Sequence, residues 1–166
     1  MVSPAVYAYL LNGVYYHFGI DWYGCPENLG AKIIQNLRDY TSKDFQLLAY
    51  YLSRIEEKDC GKYVKEVIEF SSLLKSAQTP KTYGFIRTYS RAPYINLFIR
   101  NIYIIDLDRH IFSMICSHSQ TDKLLDARFA FGSIPKEWLK ILYESEDSES
   151  EFENSDSSDS DSIPSA

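Results

Sequence analysis

The dipeptide Asn12-Gly13, set between two apolar, aromatic runs, constrains this chain more than any other feature. Asn and Gly tolerate the positive φ that both central residues of a type I′ turn require, and the twist of that turn matches paired strands. The flanking runs, Ala5 to Leu11 and Val14 to Phe18, therefore predict an antiparallel hairpin. An aromatic, polar loop follows and ends at Pro26, just ahead of a helix. A loop braced by a hairpin on one side and a helix on the other is a common place for binding and catalytic groups.

Downstream the periodicity is first helical and then that of strands. Leu29, Ile33 and Leu37 share one face of a helix over about Asn28 to Arg38. Thr41 to Asp44 reads as a capping-box-like start for a second helix over about Lys43 to Glu57, with Phe45, Leu48, Ala49, Leu52 and Ile55 as its stripe. Tyr63 to Leu74 fits a third helix through Val64, Val67, Ile68 and Ser71, with a strand as the alternative because of its β-branched content. Thr79-Pro80 marks a break. Beyond it Tyr83 to Tyr89, Tyr94 to Ile99, Asn101 to Leu107, Ile111 to Cys116 and Ala127 to Phe131 read as strands, with Asp106 to His110 as a turn. A last helix is expected with Ser133 at its cap, Pro135 near its first turn, and Trp138, Leu139 and Leu142 seated on the sheet. The 15% aromatic content agrees with a sheet-based core. The order predicts an α+β fold: a mainly antiparallel sheet with an N-terminal β-hairpin, two or three central helices and a short C-terminal helix.

The 166 residues divide into a single domain over residues 1–143 and an acidic, Ser-rich tail over 144–166. The tail holds nine acids and no Lys or Arg, so of the net charge of -6 the body keeps 14 acids against 17 bases, about +3. With only Phe152 and Ile163 as large apolar residues, the tail cannot bury enough surface to offset its ordering entropy and is expected to be disordered. Cys25, Cys60 and Cys116 are odd in number and widely spaced, which excludes a zinc-finger or disulfide framework and points to a reducing compartment, cytoplasmic or nuclear. No run approaches the roughly 20 apolar residues of a membrane helix, and Met1-Val2-Ser3-Pro4 lacks the basic region of a signal peptide.

The segment from Asn12 to Gly30 resembles a group of proteins of fungi and large DNA viruses that have no assigned activity. Members open with a hairpin holding a G-K-Y-Y-like pattern and continue with one like Y-N-H-W-D-S-Y-P-E-G-L-G. Gly13, Tyr15, Tyr16, Trp22, Pro26, Glu27, Leu29 and Gly30 fall on that pattern. Ile105-Asp106-Leu107-Asp108, and Ile134-Pro135 with Trp138-Leu139, resemble later features of the group. Where its pattern has His and Asp around the Trp, this chain has Asp21 and Tyr23; the Ser and Tyr that follow are Gly24 and Cys25. The resemblance thus implies a shared scaffold, and the loss of any His-Asp pair that relatives carry there.

Three constellations carry possible chemistry. His17, Asp21 and Cys25 lie within one short segment, as a thiol nucleophile, its base and an acidic orienter would; the structural alternative is a strand His, a turn Asp and a half-buried Cys. Removing Met1 exposes Val2, which cannot serve as an N-terminal nucleophile. Asp106, Asp108 and His110 alternate as D-x-D-x-H and on one continuous strand would share a face able to hold a hard divalent cation; as turn residues they would diverge. Lys81, Arg87, Arg91, Arg100 and Arg109 interleave with Tyr83, Phe85, Tyr89 and Tyr94, a pattern that could stack bases and neutralise phosphates. A body charge of about +3 falls short of a nucleic-acid-binding footprint, so that reading ranks last.

In the tail, Ser148, Ser150 and Ser158 each have an acid three residues on, the pattern read by acidophilic kinases such as casein kinase 2. The reading with the most support is a non-enzymatic intracellular interaction or regulatory protein. It would bind a protein partner near Trp22, Tyr23, Pro26 and Glu27, with a phosphorylatable tail and no cofactor. The alternatives are a hydrolase using the loop from His17 to Cys25, and a weak nucleic-acid binder.

Overall fold

A computed structural model describes residues 3–21, 23–53, 86–117 and 123–145, and of residues 18–21, 51, 86 and 87 the backbone alone. The described chain is α+β: a six-stranded, mostly antiparallel sheet with three helices. Strands β1 (Ala5–Leu11) and β2 (Val14–Asp21) form the expected hairpin, with Asn12 at φ 51 and Gly13 at φ 76 in its turn. A π-helical turn, Pro26–Gly30, runs directly into α1 (Ala31–Asp39), and α2 spans Ser42–Ser53. Then follow β3 (Ile86–Tyr89), β4 (Asn101–Asp106), β5 (Ile111–Ser117), β6 (Leu124–Ala130) and α3 (Trp138–Glu144). Among the described residues no helix is long and apolar enough to cross a membrane.

The sheet order is β3-β2-β1-β4-β5-β6, and β1 and β4 pair in parallel. That central pair is buried on both faces, whereas β5 and β6 alternate buried and accessible residues, as expected when a parallel pair occupies the middle of a sheet. One face carries Tyr7, Tyr9, Tyr103, Ile105, Phe112, Met114, Leu125 and Phe129 into the main core, where Leu29, Ile33, Ile34 and Leu37 of the first helical segment and Leu48 and Leu52 of α2 meet them. Val6, Ala8 and Ile102, buried too, point to the other face.

Both central helices arise where the apolar stripes place them. The Thr41 start of α2 is a reciprocal cap: Thr41 N–H and its hydroxyl donate to Asp44 Oδ2 at 2.8 and 2.9 Å, and Asp44 N–H donates to Thr41 Oγ1 at 3.3 Å. Phe45 stacks on Phe131 at 5.0 Å between ring centres and reaches His110 at 6.1 Å. Arg38 Nη2 donates to the carbonyls of Ile134 and Pro135, both at 3.2 Å, tying α1 to the connection ahead of α3.

Three local expectations are corrected. Tyr94 to Ile99 is no strand: Asn96 Oδ1 accepts from Phe98 N–H at 2.8 Å and Ile99 N–H at 3.0 Å, closing a local turn instead of joining a ladder. The last helix begins at Trp138, not at a Ser133 cap, because Phe131–Ser133 forms a 3₁₀ turn with an extended residue behind it. The first helix enters through a π-helical turn with Pro26 at its start, so the helical segment begins two residues earlier than the expected Asn28. Trp22, Lys81, Tyr83, Phe85, the segment read as helix over Tyr63 to Leu74, and the tail with Ser148, Ser150 and Ser158 lie outside the described residues.

Candidate functional site

The sheet has two unlike ends. At the turn end, the D-x-D-x-H residues are spent on backbone. Asp106 Oδ1 accepts from the amides of Asp108 at 3.0 Å and Arg109 at 2.9 Å, shaping the β4–β5 turn. Asp108 reaches across to the other hairpin: its Oδ1 accepts from Asn12 N–H at 2.9 Å and its Oδ2 from Gly13 N–H at 3.4 Å. His110, at φ 57, turns away to stack on Phe131 at 5.5 Å, and its carbonyl accepts from Phe131 N–H. The three side chains thus diverge, and among the described residues no group of three His, Cys, Asp or Glu is placed to hold a metal ion.

At the opposite end, the loop leaving β2 crosses beneath β1. Ser3 and Tyr23 form an isolated parallel bridge, and Gly24 N–H donates to Ser3 O at 2.8 Å. Gly24 lies hard against the hairpin, since a Cβ there would sit 2.0 Å from Ala5 Cβ. The Gly24 carbonyl accepts from the buried Tyr103 hydroxyl at 2.6 Å, and Cys25 O accepts from the amides of Asn28 and Leu29, both at 3.0 Å. Pro26 is buried, and a Cβ on Gly30 would meet Tyr103 Cε1 at 3.2 Å. Tyr23 is exposed, and Glu27 accepts a hydrogen bond from Tyr143 Oη of α3.

This end gathers Cys25, Glu27, Tyr103, Cys116 and Tyr143 into one electrostatic neighbourhood. Burial dominates it. The Tyr103 hydroxyl is held protonated by desolvation, reinforced by the nearby Cys116 and Cys25. Burial pushes the Cys116 thiol up to about 12, against a hydrogen bond with Tyr103 that lowers it, so no thiolate forms there near neutral pH. The Tyr143 hydroxyl is raised by burial and by its bond to Glu27.

His17 is not part of this neighbourhood. It lies opposite Ala8 in the β1–β2 register and opposite Arg87 in β2–β3, on the sheet face away from Tyr9, Tyr103 and Cys116. Its ring packs on Tyr89 at 4.4 Å, its buried Nε2 has no hydrogen-bond partner among the described residues, and desolvation lowers it to about 4. The fold therefore sets His17 and Cys25 on opposite sides of the sheet and forms no pair between them. Asp21 ends β2 opposite Ala5. The basic residues are also dispersed: Arg91 follows β3, Arg100 precedes β4 and Arg109 lies in the β4–β5 turn.

No protein-family model, curated protein or solved structure matches this chain. What the sequence reading missed is the loop between β3 and β4. Tyr94, Leu97 and Phe98 are 75%, 88% and 79% exposed. Scattered apolar exposure is ordinary, but three large side chains on five consecutive residues form a patch. The signal was present: Asn96 among apolar residues marks a turn, and a turn presents its neighbours outward.

Proposed function

We propose that the protein is a non-enzymatic intracellular interaction module that engages a protein partner through the Tyr94–Phe98 loop, with the acidic tail as its regulatory element. The observation carrying this reading is the exposure of Tyr94, Leu97 and Phe98 on a turn whose backbone Asn96 already fixes. A preformed loop sacrifices little ordering entropy on binding, and aromatic and aliphatic anchors dominate interface energetics. The divergence of His17 from Cys25 supports a non-enzymatic role. The burial of Pro26 and the bonding of Glu27 to Tyr143 support a bracing role for the Asn12–Gly30 segment, in keeping with the resemblance of its structural residues to the fungal and viral group. The odd, widely spaced cysteines support a cytoplasmic or nuclear location. Affinity capture with the full chain and with Leu97→Ser/Phe98→Ser tests the reading. Expected is a defined partner set retained by the first and lost by the second at equal thermal stability. Identical capture by both overturns it.

A further inference from the structure

We infer that β6 is a self-association edge: it pairs antiparallel with β6 of a second copy of this chain, setting Asp126 of each subunit opposite Arg128 of the other. The inference does not rest on the Tyr94–Phe98 loop. Its first support is the direction of the backbone groups. β6 ends the sheet order, with β5 as its one neighbouring strand among the described residues. In an antiparallel ladder alternate residues bond to the neighbour, and those between them turn N–H and C=O to the far side. Phe131 N–H donates to His110 O in step with the β5–β6 register, so the odd-numbered residues of β6 face β5. Asp126 agrees with this parity, since its N–H points away from β5 to Ser145 Oγ at 3.2 Å. Leu124, Arg128 and Ala130 share the outward parity, on the side where no strand lies among the described residues.

The second support is charge. The outward-bonding residues also share one face of the sheet, and the Asp126 and Arg128 side chains there are 51% and 69% exposed. Outward-bonding residues pair only with their own kind, so the possible registers differ by steps of two residues. With a two-fold axis on Ala127, Asp126 meets Arg128 of the partner subunit twice. A slip of one step sets Asp126 against Asp126 or Arg128 against Arg128. Unlike charges directly opposite are favourable and like charges destabilising, so one register is selected. Charges on an edge strand ordinarily deter pairing; here the change of sign within two residues removes the deterrent in that register alone.

The third support is fit. Arg128 Nε lies 4.0 Å from Asp126 Oδ1 within one chain, so pairing joins four charges of alternating sign into a cluster, which holds better than an isolated surface pair. Ala127 on the axis is small, as suits the close Cα approach of a non-hydrogen-bonded pair, about 4.5 Å. The Asp126 amide changes acceptor on pairing, from Ser145 Oγ to the carbonyl of Arg128 of the partner subunit. The Ser145 hydroxyl keeps its own acceptor, Leu142 O at 2.6 Å. Such a contact uses the same patch on both subunits and closes at two.

Sedimentation velocity of the full chain over a range of concentrations tests this, alongside full-length Asp126→Arg, Arg128→Asp and the double exchange Asp126→Arg/Arg128→Asp. Expected is a monomer–dimer equilibrium in the parent. Each single exchange should raise its dissociation constant about tenfold, because symmetry applies the repulsion twice. The double exchange restores unlike pairs and should return the constant to within about twofold of the parent. Amide exchange at Leu124, Arg128 and Ala130 should slow as concentration rises. A parent that stays monomeric up to about 0.1 mM overturns the proposal. A dimer untouched by the single exchanges overturns it in favour of another surface. Dissociation by the single exchanges without recovery in the double overturns the charge pairing and the register with it.

Discussion

Replacing Gly24 by Ala should damage this fold more than any other single-methyl addition among the described glycines. The new Cβ would lie 2.0 Å from Ala5 Cβ, 2.8 Å from Ser3 O and 3.0 Å from Ala5 N. Carbon atoms in contact prefer about 3.5–4.0 Å, so the loop must retreat by more than an ångström from Ala5, which is itself fully buried. Overpacking of this kind costs about 1–3 kcal/mol. Retreat also stretches the Gly24 N–H bond to Ser3 and the 2.6 Å bond from Tyr103 Oη. Leaving a buried hydroxyl without its acceptor adds about 1–3 kcal/mol. The combined loss is about 2–6 kcal/mol. With a urea dependence of about 2 kcal/mol per molar, the unfolding midpoint should fall by roughly 1–3 M. Gly132→Ala is the control, because nothing lies within 4 Å of its Cβ; it should stay within about 0.5 kcal/mol of the parent. If Gly24→Ala unfolds within about 0.3 M of the parent, the loop does not brace the hairpin and the structural reading of Asn12–Gly30 fails.

Other predictions concern separate parts of the fold. Asp108→Ala removes the acceptor shared by Asn12 and Gly13 and should cost about 1–2 kcal/mol in urea unfolding, with faster amide exchange at those two residues. His17 is lowered to about 4 by burial, so between that value and its unfolded value near 6.5 the native state binds fewer protons than the unfolded one, and stability falls as pH falls. Discounted for its partly exposed position, the loss from pH 7 to pH 5 is about 1 kcal/mol; His17→Gln should abolish that part of the slope, and an unchanged slope would contradict it. Cys116, pushed up to about 12 by burial, should resist alkylation at neutral pH until denaturant is added, as read by peptide mass mapping.

Local signals and long-range geometry were unequally visible in the sequence. Asn12-Gly13 announced its turn because the φ it needs is a property of those two residues. Thr41 and Asp44 announced their cap because both partners lie within one helical turn. The unbroken apolar run of β1 carried a signal too, since a strand apolar at every position is buried on both faces, as a central parallel strand is. Tyr94 to Ile99 misled because its apolar content resembles a strand, while the side chain of Asn96 competes for the backbone. The site end was not legible for a different reason. Tyr103 meets Gly24 across 79 residues, and Tyr143 meets Glu27 across 116; no spacing rule links residues that only the sheet order brings together. The D-x-D-x-H pattern shows the converse: correct in composition for a cation, it is consumed by turn amides once the register is fixed.

The most direct test of the account compares partner capture and thermal melting for two full-length variants, Leu97→Ser/Phe98→Ser and Cys25→Ser. The account predicts that the loop variant loses capture and keeps its melting temperature, while Cys25→Ser keeps its capture. Loss of capture by Cys25→Ser at unchanged stability, with the loop variant binding as the parent does, would contradict it.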